Sequence, residues 1–416
     1  MNPNTTYKKV SSYEAANENV GSVLLLYSGG LDTSVILKWI QERYRTNVVT
    51  LTLNLGQQKD DLEAIRQKAL RFGASKAIAL DVKKEFAERY IMRAIKANAS
   101  YQGDYHLSTP IGRAILAAKA VEVARAEGIP CIAHGCTGKG NDQVRLEGYV
   151  LTLDPSVRII APVREWDMDR DQEIAYATEH GIPVPARADF PYSVDDNMWG
   201  MTWEGGEIEN PESVPEIQKF LTTHPLAEKD QLPPQLISLT FKAGVPIALN
   251  GLIMELHDLI VALNDLGGAH GVGVAYMIED RITGLKDRGV YEQPAAHIII
   301  EAHRALERYV STRELNELKA MLDVKWGYLC YGAKWFDPAL SAIDAFNKAV
   351  NSAVEGRVTV KLSGGKAEVV GVTSPFGLPH ASFKRDDFNV NASAGFIEIH
   401  SLQMRNAGQL KRQRSK

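Results

Sequence analysis

The chain has 416 residues, 45% of them hydrophobic and 24% charged, which is enough apolar sequence for more than one domain and excludes both a disordered segment and a membrane protein. A formal charge of -4 argues against sequence-independent binding to nucleic acid, which needs a basic phosphate-neutralising surface, and leaves small-molecule partners as the default. Cys131, Cys136 and Cys330 form neither a disulfide framework nor a zinc pattern, and no apolar run is long enough to span a bilayer. A reducing, cytoplasmic setting is expected.

Residues 1–20 are polar, lack the apolar stretch of a secretory signal, and read as an extension or an oligomer-contact arm. From Gly21 onward, short β-branched runs alternate with longer amphipathic ones. Strands are expected at Val23 to Tyr27, Val48 to Leu53, Ala77 to Asp81, Cys131 to His134 and Arg158 to Ala161. Helical spacing appears at Thr33 to Tyr44, Asp61 to Phe72, Lys84 to Ala97 and Pro110 to Glu127, the last with Arg113 among Ala, Ile, Leu and Val. This alternation predicts an α/β fold, a parallel sheet wound with helices, over residues 21–185.

Between about 165 and 215 the texture turns to Pro, Asp, Trp and Gly. A long excursion that lines a substrate is the expectation. Beyond it, strand-like Leu236 to Lys242 and Val245 to Asn250 precede helical patterns at Ile253 to Leu266 and Ala295 to Val310. A hairpin is expected at Thr359 to Leu362 and Ala367 to Val372. The mixture implies a second, α+β domain over 186–398, followed by a basic helical tail at 399–416 suited to solvent or oligomer docking.

Ser28 to Ser34, Ser-Gly-Gly-Leu-Asp-Thr-Ser, follows the first strand directly. Paired glycines at a strand-to-helix junction bring backbone N–H groups and a helix N-terminus to one point, with the hydroxyls of Ser28, Thr33 and Ser34 around it. That arrangement suits phosphate. Asp32 is unfavourable beside phosphate unless a cation intervenes, so the pair suggests Mg²⁺ with a polyphosphate. Ser363-Gly364-Gly365 repeats the three residues inside a hairpin, so the flanking strand and helix carry the signal rather than the tripeptide. Neither a Walker A lysine nor Gly-x-Gly-x-x-Gly is present at this point. A second polar loop, His134 to Arg145, follows the fourth strand. Loops at the carboxyl ends of parallel strands converge, so a nucleotide is expected between the two.

Ser28 to Ser34 resembles the signature of the N-type ATP pyrophosphatases. Together with His134 to Asp142 and Gly289-Val290-Tyr291-Glu292, it is similar to the argininosuccinate synthase family, from about Ser22 to the Leu402 region. The resemblance implies an adenine nucleotide alpha hydrolase-like fold and an ATP-dependent ligase that joins citrulline and aspartate with release of AMP and pyrophosphate. ATP would be held by Leu26, Tyr27, Ser28, Gly29, Gly30, Leu31, Asp32, Thr33 and Ser34, with Leu53 and Gly135 near the adenine or ribose. Citrulline contacts would be Tyr105, Thr109, Arg145, Ser193, Thr202, Glu279 and Tyr291, with Asp195 and Glu204 taking its α-ammonium.

Aspartate contacts would be Thr137, Asn141 and Asp142. Asp32 and Asp142 are the expected catalytic carboxylates, Asp32 also as metal ligand, and Lys139 would add charge near the pyrophosphate. A homotetramer is also implied. Two departures stand out: Ser108-Thr109-Pro110 where many members have Ser after a Gly-Thr pair, and Thr202 where many have Ser. A related pyrophosphatase with another acceptor, or a non-catalytic nucleotide sensor, remains open on these residues alone.

Overall fold

Val23–Leu26 (β1) is apolar and buried along its whole length, as a central parallel strand covered on both faces must be. Val48–Asn54 (β2) and Lys76–Asp81 (β3) pair parallel on one side of it, and Cys131–Ala133 (β4) and Arg158–Ile160 (β5) on the other, giving the order β3-β2-β1-β4-β5. The five predicted strands are all present. The computed structural model describes residues 20–57, 61–138, 140–166, 168, 170–184, 191–217, 220–221, 232–378 and 389–414. The extension at 1–19 and Lys139 lie outside the described residues.

The predicted helices appear at Leu31–Tyr44, Leu62–Arg71, Lys83–Lys96 and Ser108–Ala126. The third contains a π-helical segment, Phe86–Ile91, which re-aims its buried face and turns Phe86, Ala87 and Ile91 inward. Strand order reverses between β1 and β4. In a wound sheet that switch point opens a crevice at the carboxyl ends of the two strands.

The predicted excursion is more regular than its composition suggests. Arg170–Glu179 is a helix, and Ser193–Asn197 (β6) and Gly200–Glu204 (β7) form a hairpin. It joins Val274–Asp280 (β11) and Lys286–Glu292 (β12) in an antiparallel sheet ordered β11-β12-β7-β6. Pairing with β12 stabilises strands that local propensity disfavours.

A third sheet, also antiparallel, holds Gln235–Lys242 (β8), Val245–Leu249 (β9), Leu252–Ile253 (β10), Gly356–Ser363 (β13) and Lys366–Thr373 (β14), ordered β10-β9-β8-β13-β14. The second Ser-Gly-Gly is its hairpin turn, with Gly364 and Gly365 at φ 53° and 82°. Helices Leu256–Ala269 and Pro294–Val310 cover this sheet. One continuous apolar cluster runs from Leu24 and Leu51 through Ile115 and Ile299 to Leu239 and Val358. Helices Arg313–Tyr331 and Pro338–Val350 complete the second half.

The chain then forms a 25-residue helix, Val390–Arg414, that buries none of its residues. Among the described residues no helix is long and apolar enough to cross a membrane.

Candidate active site

The chain leaves β1 through Tyr27 and Ser28 and turns at Gly29, whose φ of 79° lies in the region that favours glycine. A Cβ at Gly29 would also press against Ile65 at 3.0 Å. Gly30 is the N-cap of helix Leu31–Tyr44 and no side chain caps that helix. Among the described residues its first-turn N–H groups therefore have no side-chain acceptor, which is the condition for anion binding. Ser28 Oγ and Thr33 Oγ1 lie 3.1 Å apart at the mouth of the turn. Ser34 is placed differently. Its buried hydroxyl donates to Gly30 O at 2.7 Å and meets the Tyr27 hydroxyl at 2.9 Å, so it braces the turn from behind.

Asp32 projects from the same first turn toward solvent. Arg170 Nη1 lies 2.8 Å from Asp32 Oδ1 and 2.8 Å from Glu173 Oε2, so a protein cation already stands beside this carboxylate. Burial, together with the neighbouring Asp32 charge, pushes the Glu173 carboxyl up to about 7. Lys68 reaches the same turn from below and donates to Gly29 O.

The loop after β4 faces this turn, as the topology requires. His134 accepts from the Cys136 N–H through Nδ1 at 3.2 Å, which leaves the ring proton on Nε2, 3.1 Å from Glu147 Oε1. Gly135 passes so close to the first helix that a Cβ would lie 2.8 Å from Ile36 Cδ1. Gly140 is the N-cap of helix Asn141–Leu153, again without a side-chain cap. Two uncapped helix starts therefore flank one crevice.

Asn141 ties the halves together. Its Nδ2 donates to Tyr331 Oη at 2.9 Å and its Oδ1 accepts from Ile282 N at 2.9 Å. Asp142 accepts from Arg113 Nε and from Arg145 Nη1, both at 2.9 Å. Burial pushes the Asp142 carboxyl up, but the two guanidinium groups outweigh it and hold the pKa below the usual carboxylate value. Arg113 Nη2 also donates to Asp195 Oδ1 at 2.5 Å, so one arginine spans the loop and the β6–β7 hairpin. Arg145 is buried. Its Nε and Nη2 donate to Tyr331 O, each at 3.2 Å, and its guanidinium carbon sits 4.8 Å from the Tyr331 ring centre. One N–H on each terminal nitrogen of Arg145 stays uncommitted to these partners.

The far wall follows from strand periodicity. Side chains two apart share a face, and register places Asp195 opposite Thr202, Ser193 opposite Glu204 and Thr202 opposite Tyr291. These five residues therefore present one surface to the crevice. Thr202 Oγ1 and Thr109 Oγ1 lie 3.3 Å apart, and the Tyr105 hydroxyl accepts from Thr109 N at 3.0 Å. The Tyr105 and Tyr291 rings stand 4.4 Å apart. Tyr291 donates to Glu279 Oε2 at 3.0 Å, and burial raises the Glu279 pKa. Gly289 leaves room for that hydroxyl, since a Cβ there would lie 2.8 Å from it. Glu292 accepts from Trp203 Nε1 at 2.7 Å and is structural. Glu204 accepts from Arg281 Nη2 at 2.8 Å. Burial, with Asp195, Glu279 and Asp287 nearby, pushes its carboxyl up to about 7 against the pull of Arg281.

Apart from Lys139, which lies outside the described residues, every residue expected at the site except Ser34 lines one cleft of about 1120 Å³. The lining also includes side chains that were not among the expected ones, notably Arg113, Arg170, Arg281 and Tyr331. Arg113 had a signal in the sequence, as a charge within an otherwise apolar helix. Tyr331 had none, because its place depends on a distant helix.

Comparison with known proteins agrees with this architecture. The Arginosuccinate synthase N-terminal HUP domain family matches residues 22–183, and the Arginosuccinate synthase C-terminal domain family matches residues 192–407. An argininosuccinate synthase of Pyrococcus furiosus is 46% identical over 385 residues, 92% of this chain and 93% of that one. Argininosuccinate synthases of Symbiobacterium thermophilum and Bacillus licheniformis are each 44% identical over 384 residues, 91% of this chain and 95% and 94% of theirs. The chain belongs to the argininosuccinate synthase family.

Proposed function

We propose that the chain condenses citrulline with aspartate at the expense of ATP, by way of a citrullyl adenylate, releasing pyrophosphate and then AMP. Family membership makes it an ATP-dependent ligase that forms a C–N bond. The observation that carries the finer reading is the single cleft in which a phosphate-binding turn opens onto a pocket of paired arginines, acids and tyrosines.

A ureido carbonyl is a poor electrophile until its oxygen becomes a leaving group. In this reading the citrulline oxygen attacks the α-phosphorus of ATP and pyrophosphate departs. The aspartate amine then attacks the activated carbon and AMP departs. No protein nucleophile is needed, and orientation of three substrates can supply up to roughly 7–11 kcal/mol in favourable cases. The N–H groups at the two uncapped helix starts hold phosphate oxygens as negative charge develops on them. Arg145 offers its uncommitted N–H groups to the citrulline carboxylate. The Thr109 and Thr202 hydroxyls, the Tyr105 and Tyr291 rings and Glu279 bound its chain.

Asp142 is held ionised by Arg113 and Arg145, which suits it to orient the aspartate ammonium rather than to accept a proton. Thr137 and Asn141 stand on either side of the turn that leads to it. Asp195 and Glu204 face the α-ammonium of citrulline.

Mg²⁺ fits the donor set. Asp32 is an exposed carboxylate beside an uncapped helix start, and its ion pair with Arg170 is open to solvent and so exchangeable. When bound, the ion would neutralise charge on the polyphosphate, with Asp32 as its protein ligand.

The exposed tail helix supports a homotetramer. Phe396, Ile397, Ile399, Leu402 and Met404 lie on its surface without cover from the described residues of the chain itself. The free thiols Cys131, Cys136 and Cys330 suit a cytoplasmic setting. Incubation with ATP, citrulline and aspartate should give AMP, pyrophosphate and argininosuccinate, and none of these products when citrulline is left out. Formation of ADP, or AMP release independent of citrulline, would overturn the reading.

A further inference from the structure

Helix Arg170–Glu179 begins with a residue that helix starts disfavour. The aligned peptide dipoles place partial positive charge in the first turn, where acids are stabilising and cations are not. Asp171 and Glu173 obey that rule and Arg170 breaks it. A broken local rule is expected where a residue serves another purpose.

The surroundings of Arg170 indicate the purpose. One of its terminal nitrogens gathers two carboxylates, Asp32 from one helix and Glu173 from another, at the rim of the phosphate-binding turn. Arg170 lines the same cleft as Ser28, Gly29, Gly30 and Thr33. Leu31 and Val35 of the first helix pack against Ala177 of the second and Ile182 just beyond it, so the base of the arginine keeps its place whatever its head group binds. The Arg170 and Asp32 side chains are 48% and 63% exposed. A pair that open to water is weak and readily exchanged.

We propose that Arg170 binds the outer phosphates of the nucleotide, and that Asp32 is its placeholder partner until the nucleotide arrives. On binding of magnesium triphosphate, the Asp32 carboxylate turns to the metal ion and the guanidinium passes to the β- and γ-phosphate oxygens. The planar fork of arginine matches two such oxygens at once. Glu173, largely buried beneath the pair, keeps the guanidinium at the rim in both arrangements. The exchange places a cation where pyrophosphate leaves and ensures that neither Asp32 nor Arg170 faces the crevice uncompensated. This inference rests on the nucleotide reading above and adds to it a residue that lies far from the sequence motif.

Three titrations of the full chain test it: magnesium pyrophosphate, AMP, and Mn²⁺ alone, each against the unmodified protein and Arg170→Met. Loss of a charge-assisted fork should weaken pyrophosphate about tenfold or more while AMP, which lacks the outer phosphates, stays within about twofold. Mn²⁺ should bind more tightly to Arg170→Met, because the competing cation on Asp32 is gone. Unchanged pyrophosphate affinity, parallel loss of AMP, or no gain in Mn²⁺ affinity would each overturn the proposal. If the unmodified protein bound neither AMP nor pyrophosphate, the nucleotide reading itself would fail, and this inference with it.

Discussion

Within one cleft, Ser28–Ser34 presents its groups from consecutive residues, whereas the pocket around Arg145 draws Tyr105, Thr202, Glu279, Tyr291 and Tyr331 from separate segments of the chain. The first is built from backbone N–H groups, a glycine at positive φ and hydroxyls that brace one another, and its charged member is exposed. The second is built from charges drawn into the fold: buried Arg145 and half-buried Arg113 both hold Asp142, and the halves of the chain meet on Asn141. A turn of the first kind can lose a side chain and stay folded. A pocket of the second kind tolerates this less, because removal of Asp142, for example, leaves the buried Arg145 without its counter-charge.

The sharpest test of that contrast is Arg145→Ala. It removes one of the two guanidinium partners of Asp142, with Arg113 kept, and the donor to the Tyr331 carbonyl, so the loss should approach the about 3–5 kcal/mol that breaking a buried pair costs. Chemical denaturation should show a loss of that size, and residual folded protein should require far more citrulline. A stability within about 1 kcal/mol of the unmodified protein would place Arg145 among the exposed pairs and erase the distinction.

Asp32→Asn should do the reverse. The exposed pair with Arg170 is worth about 0–1 kcal/mol, so the denaturation midpoint should hardly move. Pyrophosphate release should fall by roughly 100-fold or more, the size seen when one electrostatic stabiliser of a transition state is removed. Near-normal release by folded Asp32→Asn would deny Asp32 its role at the polyphosphate.

How much of each region was legible in the sequence follows from the same contrast. β1 to β5 could be read because buried parallel strands are short apolar runs, and the turn at Ser28–Ser34 because its glycines and hydroxyls are adjacent. β11 escaped notice because function inverts its pattern: Glu279 points inward to Tyr291 while Tyr276 and Ile278 point outward. A strand that buries an acid beside Met277 and exposes a tyrosine and an isoleucine does not announce itself by alternation. The hairpin β6–β7 hid under Asp, Asn and Gly, and only its pairing with β12 makes it a strand pair. Arg281 and Tyr331 reach the pocket from across the fold, where no spacing in the chain connects them to Asp142 or Glu204.

A smaller effect is expected from pH. The Glu204 carboxyl is pushed up to about 7, so it is mostly ionised at pH 8 and mostly protonated at pH 6. Only the ionised form attracts the citrulline ammonium, so citrulline affinity should fall as pH drops through 7, by at most about tenfold per unit. In Glu204→Gln the citrulline KM should be raised and nearly flat over this range. An unmodified protein with flat citrulline affinity between pH 6 and 8 would remove Glu204 from the ammonium site.

The mildest change separates a hydroxyl from a methyl at one position of the pocket. Thr202 is buried, lies 3.3 Å from the Thr109 hydroxyl and stands opposite Tyr291 on the neighbouring strand. Thr202→Ser keeps the oxygen and removes one methyl, at about 1 kcal/mol or less of stability, so the citrulline KM should change little. Thr202→Val keeps the volume but leaves Thr109 Oγ1 without this partner and offers citrulline no hydroxyl. Its citrulline KM should rise by about three- to tenfold, the worth of one neutral hydrogen bond, with ATP affinity untouched. Equal citrulline affinity in the two variants would show that packing, rather than hydrogen bonding, sets the shape of this wall.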